Sequence, residues 1–481
     1  MIARARAHGE RIAIHADGRS RCYVDLLERS AAIAAILLER RANLAEERIA
    51  FMAPPGFDYA AIQWGIWRAG GIAVPLSAQA TARELEHVLG DSDAAAIITI
   101  PAFAAKLDAG QRRLLVIDEA TSGSAELPDI DPARRAMILY TSGTTSKPKG
   151  VVITHANLQA QIEALVRAWE WSAEDRIPLF LPLHHIHGIV NVLGCALWSG
   201  ALIEAFPRFD AEVILPRVTA DAYTLFMAVP TIYAKLVGLL EQDATGLAAA
   251  FGRMRLMVSG SAALPAGLHR RWHELSGQHL LERYGMTETG MILSNPLKGE
   301  RRPGAVGQPL PGVEVRLRSE SGETLQNEDE PGEIQVRGPA VFSEYWRLPQ
   351  VTVESFEDGW FRTGDMGVMQ DRYYRILGRL SVDIIKSGGY KLSALEIEAA
   401  LLDHPAIREC AVVGMEDDVW GETVAVAAVA EGIDLDILRE WAKDRLSPYK
   451  LPRRLLLVEQ LPRNAMGKVA KREVAELLRL S

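Results

Sequence analysis

Apolar and polar positions along the chain switch repeatedly between two periods. From Tyr23 to Glu39 the apolar residues fall at helical spacing, with Leu26, Leu27, Ala31, Ile33 and Leu37 available for one face. Arg48 to Ala53 is a short apolar run that predicts a strand ending at Pro54-Pro55-Gly56. Phe57 to Ala69 predicts a helix halted by Gly70-Gly71, and Ile72 to Leu76 a strand. Thr81 to Leu89 predicts a helix with Thr81 as its N-cap and Glu84 three residues on, a capping-box pattern. Asp93 to Ile100 and Arg113 to Asp118 predict two further strands. Past residue 150 the alternation continues. Asn157 to Trp169 predicts a helix, Arg176 to Pro182 a strand, Ile189 to Trp198 an apolar helix, and Asp221 to Val229 a strand. A helix opens at Pro230, Met254 to Val258 is a buried-type strand, Leu264 to Leu275 a helix, and His279 to Arg283 a short strand. Such alternation predicts an α/β fold with largely parallel sheets in a large N-terminal domain. From Gly304 to Gly378 proline and glycine rise and helical spacing vanishes, which predicts a small β-rich subdomain. Beyond Leu380 comes a compact α+β segment, with helices at Ala394 to Leu402 and Leu435 to Arg445 and strands at Glu409 to Gly414 and Thr423 to Ala430. The expected domains are 1–379 and 380–481.

Composition narrows the class. The chain has 481 residues, 48% hydrophobic and 24% charged, so it is globular and long enough for more than one core. A net charge of −9 argues against a nucleic-acid or anionic-membrane partner, although it allows a local basic pocket. Cys22, Cys195 and Cys410 match no zinc spacing and suit a reducing compartment. No apolar run is long enough to span a bilayer, and the slightly basic start, Met1 to His8, has no apolar segment behind it. A cytoplasmic location is expected.

Candidate chemistry begins at Tyr140-Thr-Ser-Gly-Thr-Thr-Ser-Lys-Pro-Lys-Gly150, flanked by the apolar runs Ala136 to Tyr140 and Val151 to Ile153. The pattern predicts strand, polar loop, strand. Hydroxyls and exposed backbone N–H groups donate to phosphate, glycines allow close approach, and lysines add positive charge. It is not a Walker A loop, because no Gly-Lys-Ser/Thr follows Gly143 at the required spacing. A polar β-turn is the plain alternative; Lys147, Pro148 and Lys149 together favour the phosphate cradle.

Three more segments follow in order: Tyr284-Gly-Met-Thr-Glu288, Trp360-Phe-Arg-Thr-Gly-Asp365 with Gly378-Arg379, and Pro462-Arg-Asn-Ala-Met-Gly-Lys468. With the first loop, this ordered set resembles the adenylate-forming superfamily of acyl-CoA synthetases, peptide-synthetase adenylation domains and beetle luciferases, over essentially the whole chain. The resemblance implies that Thr141, Ser142, Gly143, Thr144, Thr145 and Lys149 hold ATP phosphates. It implies that Tyr284, with Gly285, stacks on adenine, that Thr287 meets the α-phosphate and that Glu288 helps hold Mg²⁺. Asp365, with Arg379 nearby, would take the ribose hydroxyls, and Lys468 would bridge the attacking carboxylate and the α-phosphate. The charges also make sense by themselves. A carboxylate attacking a phosphate brings two anions together, so a lysine and a metal are needed there. Ser146 stands where the family usually has glycine, which a negative φ tolerates.

Val382 to Tyr390 resembles the hinge and thioester-forming strand of the same superfamily, with Lys386, Gly388 and Gly389 at its lysine and glycine positions. The family's small domain is mobile and rotates between half-reactions. One extra residue between Arg379 and Gly389, relative to several relatives, leaves Ser381 as the nearest hinge candidate, with Asp383 as the alternative. Between Arg439 and Arg472 there are ten Lys/Arg and three Asp/Glu, either a basic surface for coenzyme A phosphates or a solvated helix and loop. Free coenzyme A is the expected acceptor, and a carrier protein is not expected.

The acid is read from Arg283, immediately before Tyr284, where many superfamily members have a small residue. A buried guanidinium needs a partner, and its planar fork suits a carboxylate. Adenylation consumes one carboxylate, so Arg283 implies a second on the substrate; an ion pair with Glu282 is the structural alternative. The other expected segments of the acid pocket agree: His187 adds a second imidazole beside His185, and the segment of Ser259, Gly260 and Ser261 adds hydroxyls. The histidines have no carboxylate or cysteine at a matching spacing, so a metal there is not expected. His185-Ile-His-Gly188, Ser259-Gly-Ser-Ala-Ala-Leu-Pro265, Leu281-Glu-Arg-Tyr-Gly-Met-Thr-Glu288, Ser294-Asn-Pro296 and Ser381-Val-Asp-Ile-Ile-Lys386 together resemble the malonyl-CoA synthetases. The implied substrates are malonate, ATP and coenzyme A, with methylmalonate a plausible second acid. A medium-chain or aryl acid–CoA ligase and a carrier-loading ligase are the alternatives.

Overall fold

The computed structural model describes residues 1–141, 148–243, 245–387, 390–417, 419–463 and 469–481. Among these, the strands form five sheets. The largest runs, in spatial order, Glu344–Tyr345, Lys149–Thr154, Arg135–Thr141, Ile72–Pro75, Arg48–Met52, Ala96–Thr99, Arg113–Val116. Its last five strands are parallel, and four-residue runs such as Ile72–Pro75 and Ala96–Thr99 are buried along their whole length. That burial on both faces is why these strands read as continuous apolar runs rather than alternating ones. Arg135–Thr141 and Lys149–Thr154 pair antiparallel, so the phosphate-loop segment spans the end of a hairpin. Thr81 and Glu84 form the expected reciprocal cap on the helix Ala82–Asp91.

A second sheet places Leu225–Ala228, Leu256–Ser259 and Leu281–Met286 in parallel, followed antiparallel by Gly290–Ser294 and Gln308–Pro309. A third joins Arg19–Cys22, Ile12–Ala16, Leu202–Ala205 and Arg176–Leu179. The largest apolar core of the α/β region has Trp64, Trp169, Trp272, Phe226, Phe251 and Tyr233 among its fully buried side chains, and a second cluster on the largest sheet includes Ile72, Val74, Ile97 and Val152. The β-rich part follows as an antiparallel sheet of Glu314–Arg318, Gly332–Arg337, Trp360–Gln370, Phe356–Glu357 and Tyr373–Arg379.

From Ile384 onward, Ile384–Ser387, Tyr390–Ser393, Ile407–Asp417, Gly421–Ala430 and Arg454–Leu457 form the last sheet. Its side chains alternate between two apolar clusters. Val412, Val424, Val426 and Ala428 pack with Ile397 and Leu438 of the helices Ala394–Leu402 and Leu435–Lys443. Ala411, Val413, Ala425 and Ala427 pack with Val474 and Leu478 of Lys471–Leu480. This is the period-two burial of a strand with helices on both faces.

Three expectations about elements change. Ile189 to Trp198 is not one α-helix: His187–Gly194 is a π-helix, followed by an α-helix, Cys195–Ser199. In an almost wholly apolar segment, periodicity does not separate 3.6 from 4.4 residues per turn. The region 304–378 contains a helix after all, Pro349–Glu354, started by a proline whose fixed φ suits the first helical position. The strand expected to end at Arg283 is Leu281–Met286, because its ladder with Gly290–Ser294 carries on through Tyr284 and Gly285. A Cβ on Gly285 would fall 2.2 Å from the Gly290 carbonyl oxygen, so the hairpin closes this tightly only on glycine.

Candidate active site

The described ends of the phosphate-loop hairpin are held by one helix. On Ala82–Asp91, the Asp91 carboxylate accepts the Tyr140 hydroxyl at 2.7 Å, and His87 Nε2 lies 3.0 Å from the Pro148 carbonyl. Residues four apart share a helix face, so a single face grips both flanks of the loop. Thr141 pairs with Lys149 across the hairpin. Ser142, Gly143, Thr144 and Thr145 lie outside the described residues, as do Gly388, Gly389 and Lys468.

Thr287 and Glu288 sit at the turn of the second hairpin, after Leu281–Met286. Gly290 has φ +65°, and a Cβ there would fall 1.2 Å from Gln161 Oε1. Gln161 instead accepts the Met291 N–H at 2.8 Å, tying this turn to the helix His155–Ala168. Glu288 is 7% exposed; its Oε1 accepts the Tyr345 hydroxyl at 2.9 Å. Burial raises its carboxyl above the usual range, while the Tyr345 hydrogen bond and the Arg379 and Lys149 charges pull it back. The Lys149 ammonium lies 4.7 Å from the centre of the Tyr345 ring.

Asp365 and Arg379 are cross-strand partners in the β-rich sheet. Arg379 donates Nε to Asp365 Oδ1 at 2.9 Å and Nη2 to Oδ2 at 3.3 Å, and the Tyr284 hydroxyl donates to Oδ2 at 2.5 Å. Burial opposes the Arg379 charge, but Asp365 outweighs it and holds the guanidinium above its ordinary value. Tyr284 and Asp365 come from segments 81 residues apart, so the fold brings the expected adenine and ribose residues into direct contact.

Arg283 is 3% exposed, and its Nε and Nη2 have no hydrogen-bond partner among the described residues. Glu282 does not supply one. Neighbouring strand residues point to opposite faces, and Glu282 Oε1 accepts the Leu264 N–H at 3.0 Å. Burial pushes Glu282 up to about 8 and Arg283 down to about 9. The guanidinium packs on Gly260: a Cβ there would lie 2.4 Å from Arg283 Cζ. His187 Nδ1 is 3.0 Å from the Ser261 hydroxyl, and its Nε2 is buried without a partner. Burial, then the Arg283 and His185 charges, push His187 well below its ordinary value, so it is neutral. Ser261 adopts φ +71°, a left-handed conformation costing on the order of 1 kcal/mol or more in a non-glycine residue. The buried Ser259 hydroxyl is also unpartnered. The His185 ring lies 4.1 Å from that of His184, tilted by 51°. The arrangement presents unpaired donors around one buried cation and so fits an anion.

Lys386 is exposed on Ile384–Ser387, with its N–H held by Glu422. Among the described residues its side chain makes no hydrogen bond to the groups above. Two residues escaped the sequence reading. Tyr345 lies on a strand two residues long, too short to leave a periodic trace. Asn191 is buried one π-turn beyond His187, with both amide atoms unpartnered. A lone amide inside an otherwise apolar run was the available signal.

Residues 2–346 match the family described as AMP-binding enzyme, and residues 396–468 the AMP-binding enzyme C-terminal domain. The chain is 44% identical to the mitochondrial malonate–CoA ligase of Mus musculus, covering 99% of this chain and 90% of that protein. The chain belongs to the malonate–CoA ligase family of AMP-binding enzymes. Among solved structures of this family, it resembles ATP-bound MatB from Rhodopseudomonas palustris with a TM-score of 0.89, at 32% identity over 99% of this chain and 98% of that one. Against a malonyl-CoA ligase product complex with methylmalonyl-CoA and AMP, the TM-score is 0.71 at 38% identity, over 95% and 98%.

Proposed function

We propose that this enzyme joins malonate to coenzyme A at the expense of ATP, through malonyl-adenylate, releasing AMP and pyrophosphate. The observation that carries the choice of acid is the buried Arg283, whose Nε and Nη2 have no partner among the described residues and whose charge is felt by buried His187. One malonate carboxylate pairs with Arg283. The other attacks the α-phosphorus of ATP, and the bond to pyrophosphate breaks. Lys468 bridges the attacking carboxylate and α-phosphate and offsets their repulsion. Lys149 and the hydroxyls of Thr141, Ser142, Thr144 and Thr145 hold the departing phosphates, and Thr287 the α-phosphate. Asp365 and Arg379 fix the ribose, and Tyr284 the adenine. Among the described residues no three His, Cys, Asp or Glu side chains form a cation cage. One buried carboxylate, Glu288, together with ATP phosphates fits the way Mg²⁺ is normally held. When bound, Mg²⁺ neutralises charge building on the leaving pyrophosphate.

In the second step the thiol of coenzyme A attacks the malonyl carbonyl, and AMP leaves. For this step residues 380–481 turn against 1–379, withdrawing Lys468 and bringing the Lys386, Gly388 and Gly389 face to the adenylate. Asp383 is the better hinge candidate: its Oδ2 accepts the Arg379 N–H at 3.0 Å and its other oxygen meets Lys471. The higher TM-score with the ATP-bound relative than with the product complex supports an adenylation arrangement here. Methylmalonate is a second substrate, since a pocket discriminates against one methyl by only about 1–3 kcal/mol.

Pyrophosphate release with malonate, succinate, acetate and octanoate, each with and without coenzyme A, tests the proposal. Malonate is expected to be preferred, with thioester formed only when coenzyme A is present; preference for acetate or octanoate would refute the Arg283 argument. Gly260→Ala is expected to push Arg283 aside and raise the KM for malonate about ten- to a hundredfold, the scale of a misplacement of about 1 Å. The KM for ATP and the melting temperature are expected to stay unchanged, as steady-state kinetics and thermal melts would report.

A further inference from the structure

A short strap touches two of the charged groups assigned to the nucleotide, Lys149 and Glu288. Glu344–Tyr345 pairs antiparallel with Lys149–Thr154, the strand that leaves the phosphate loop, with Tyr345 opposite Val151. The ladder is extended at both ends. The Ser343 N–H bonds the Val152 carbonyl at 3.1 Å, and the Trp346 N–H bonds the Gly150 carbonyl at 2.7 Å. The same strap reaches the other hairpin. The Phe342 N–H bonds the Glu288 carbonyl at 2.7 Å, and the Tyr345 hydroxyl bonds the Glu288 carboxylate at 2.9 Å. Tyr345 is itself held: its N–H donates to Thr352 Oγ1 at 3.0 Å, and its ring packs at 4.7 Å on Phe342. Its ring face carries the Lys149 ammonium.

We propose that Tyr345 is a positioning residue that sets the distance between Lys149 and Glu288, and so presents the phosphate cation and the metal carboxylate in register to one nucleotide. The inference rests on the ATP and Mg²⁺ reading of those two residues. Two different atoms of one side chain do the work. The hydroxyl donates to Glu288 Oε1 and leaves its remaining lone pairs for a cation. The ring quadrupole holds the ammonium without consuming any of its three N–H donors. An ion pair between Lys149 and Glu288 would instead neutralise both groups before the nucleotide arrived. The ring between them keeps the two charges separate and usable.

The two functions separate by substitution. Tyr345→Phe removes the hydroxyl and keeps the ring; Tyr345→Leu removes both. ATP binding is measured by calorimetry without any acid, over a range of Mg²⁺ concentrations. Tyr345→Phe is expected to raise the half-saturating Mg²⁺ about tenfold, as for other lost supports of a metal-binding carboxylate, while metal-free ATP affinity is unchanged. Tyr345→Leu is expected to lose metal-free ATP affinity as well. Adding Tyr345→Phe to Glu288→Gln is expected to shift the Mg²⁺ dependence no further. Wild-type Mg²⁺ dependence in Tyr345→Phe, or a lowered melting temperature with that dependence unchanged, would reduce Tyr345 to a packing residue and overturn the proposal. No acid enters these measurements, so their failure leaves the malonate assignment standing, and failure of the malonate assignment leaves them interpretable.

Discussion

Arg283→Met is expected to lower kcat/KM for malonate by about a thousandfold, the equivalent of the roughly 3–5 kcal/mol lost when one partner of a buried ion pair is removed. The second carboxylate of malonate would then be buried against a thioether. The KM for ATP should change little, because Arg283 packs on Gly260, apart from the Asp365–Arg379 pair proposed to hold the ribose. Stability supplies the control. In the free enzyme Arg283 is a buried charge with two unmatched donors, so an apolar side chain of similar length is expected to leave the melting temperature equal or raise it. A clear fall in melting temperature, with malonate and ATP affected alike, would instead make Arg283 a structural residue. Acids with one carboxylate and a short apolar tail, such as butyrate, should gain in relative rate, which a substrate series would show.

Lys468→Ala is expected to reduce malonate-dependent ATP–pyrophosphate exchange by about a thousandfold or more, since in the proposed mechanism it removes the cation that offsets charge developing in the transition state. The same variant is expected to convert preformed malonyl-adenylate and coenzyme A to thioester at close to the wild-type rate, because the proposed alternation withdraws Lys468 before that step. Single-turnover assays on the two half-reactions separate these outcomes. Equal loss in both would count against the alternation of residues 380–481.

The periodic parts of the chain were legible because their physics is local. Four-residue apolar strands such as Ile72–Pro75 and the capped helix Ala82–Asp91 follow from burial on both faces and from a reciprocal cap three residues apart. The π-helix His187–Gly194 was not legible, because its apolar residues carry no period to distinguish it. Nor was Tyr345, whose hydrogen-bond partner is 57 residues away and whose strand is two residues long.

The sequence by itself determined the alternation of strands and helices, the polar loop between Tyr140 and Gly150, and the presence of an arginine before Tyr284 where an anion would be read. These rest on side-chain type and on spacing within a few residues. Whether Arg283 was free to read an acid was decided only by the tertiary structure. Its sequence neighbour Glu282 turns to the opposite face and is occupied by the Leu264 N–H, while Gly260 makes room for the guanidinium. Burial and the Arg283 and His185 charges push His187 well below its ordinary value, while its Nδ1 meets Ser261, 74 residues on. Partnership between distant side chains depends on how sheets and helices pack against one another, and no local pattern in the chain encodes that.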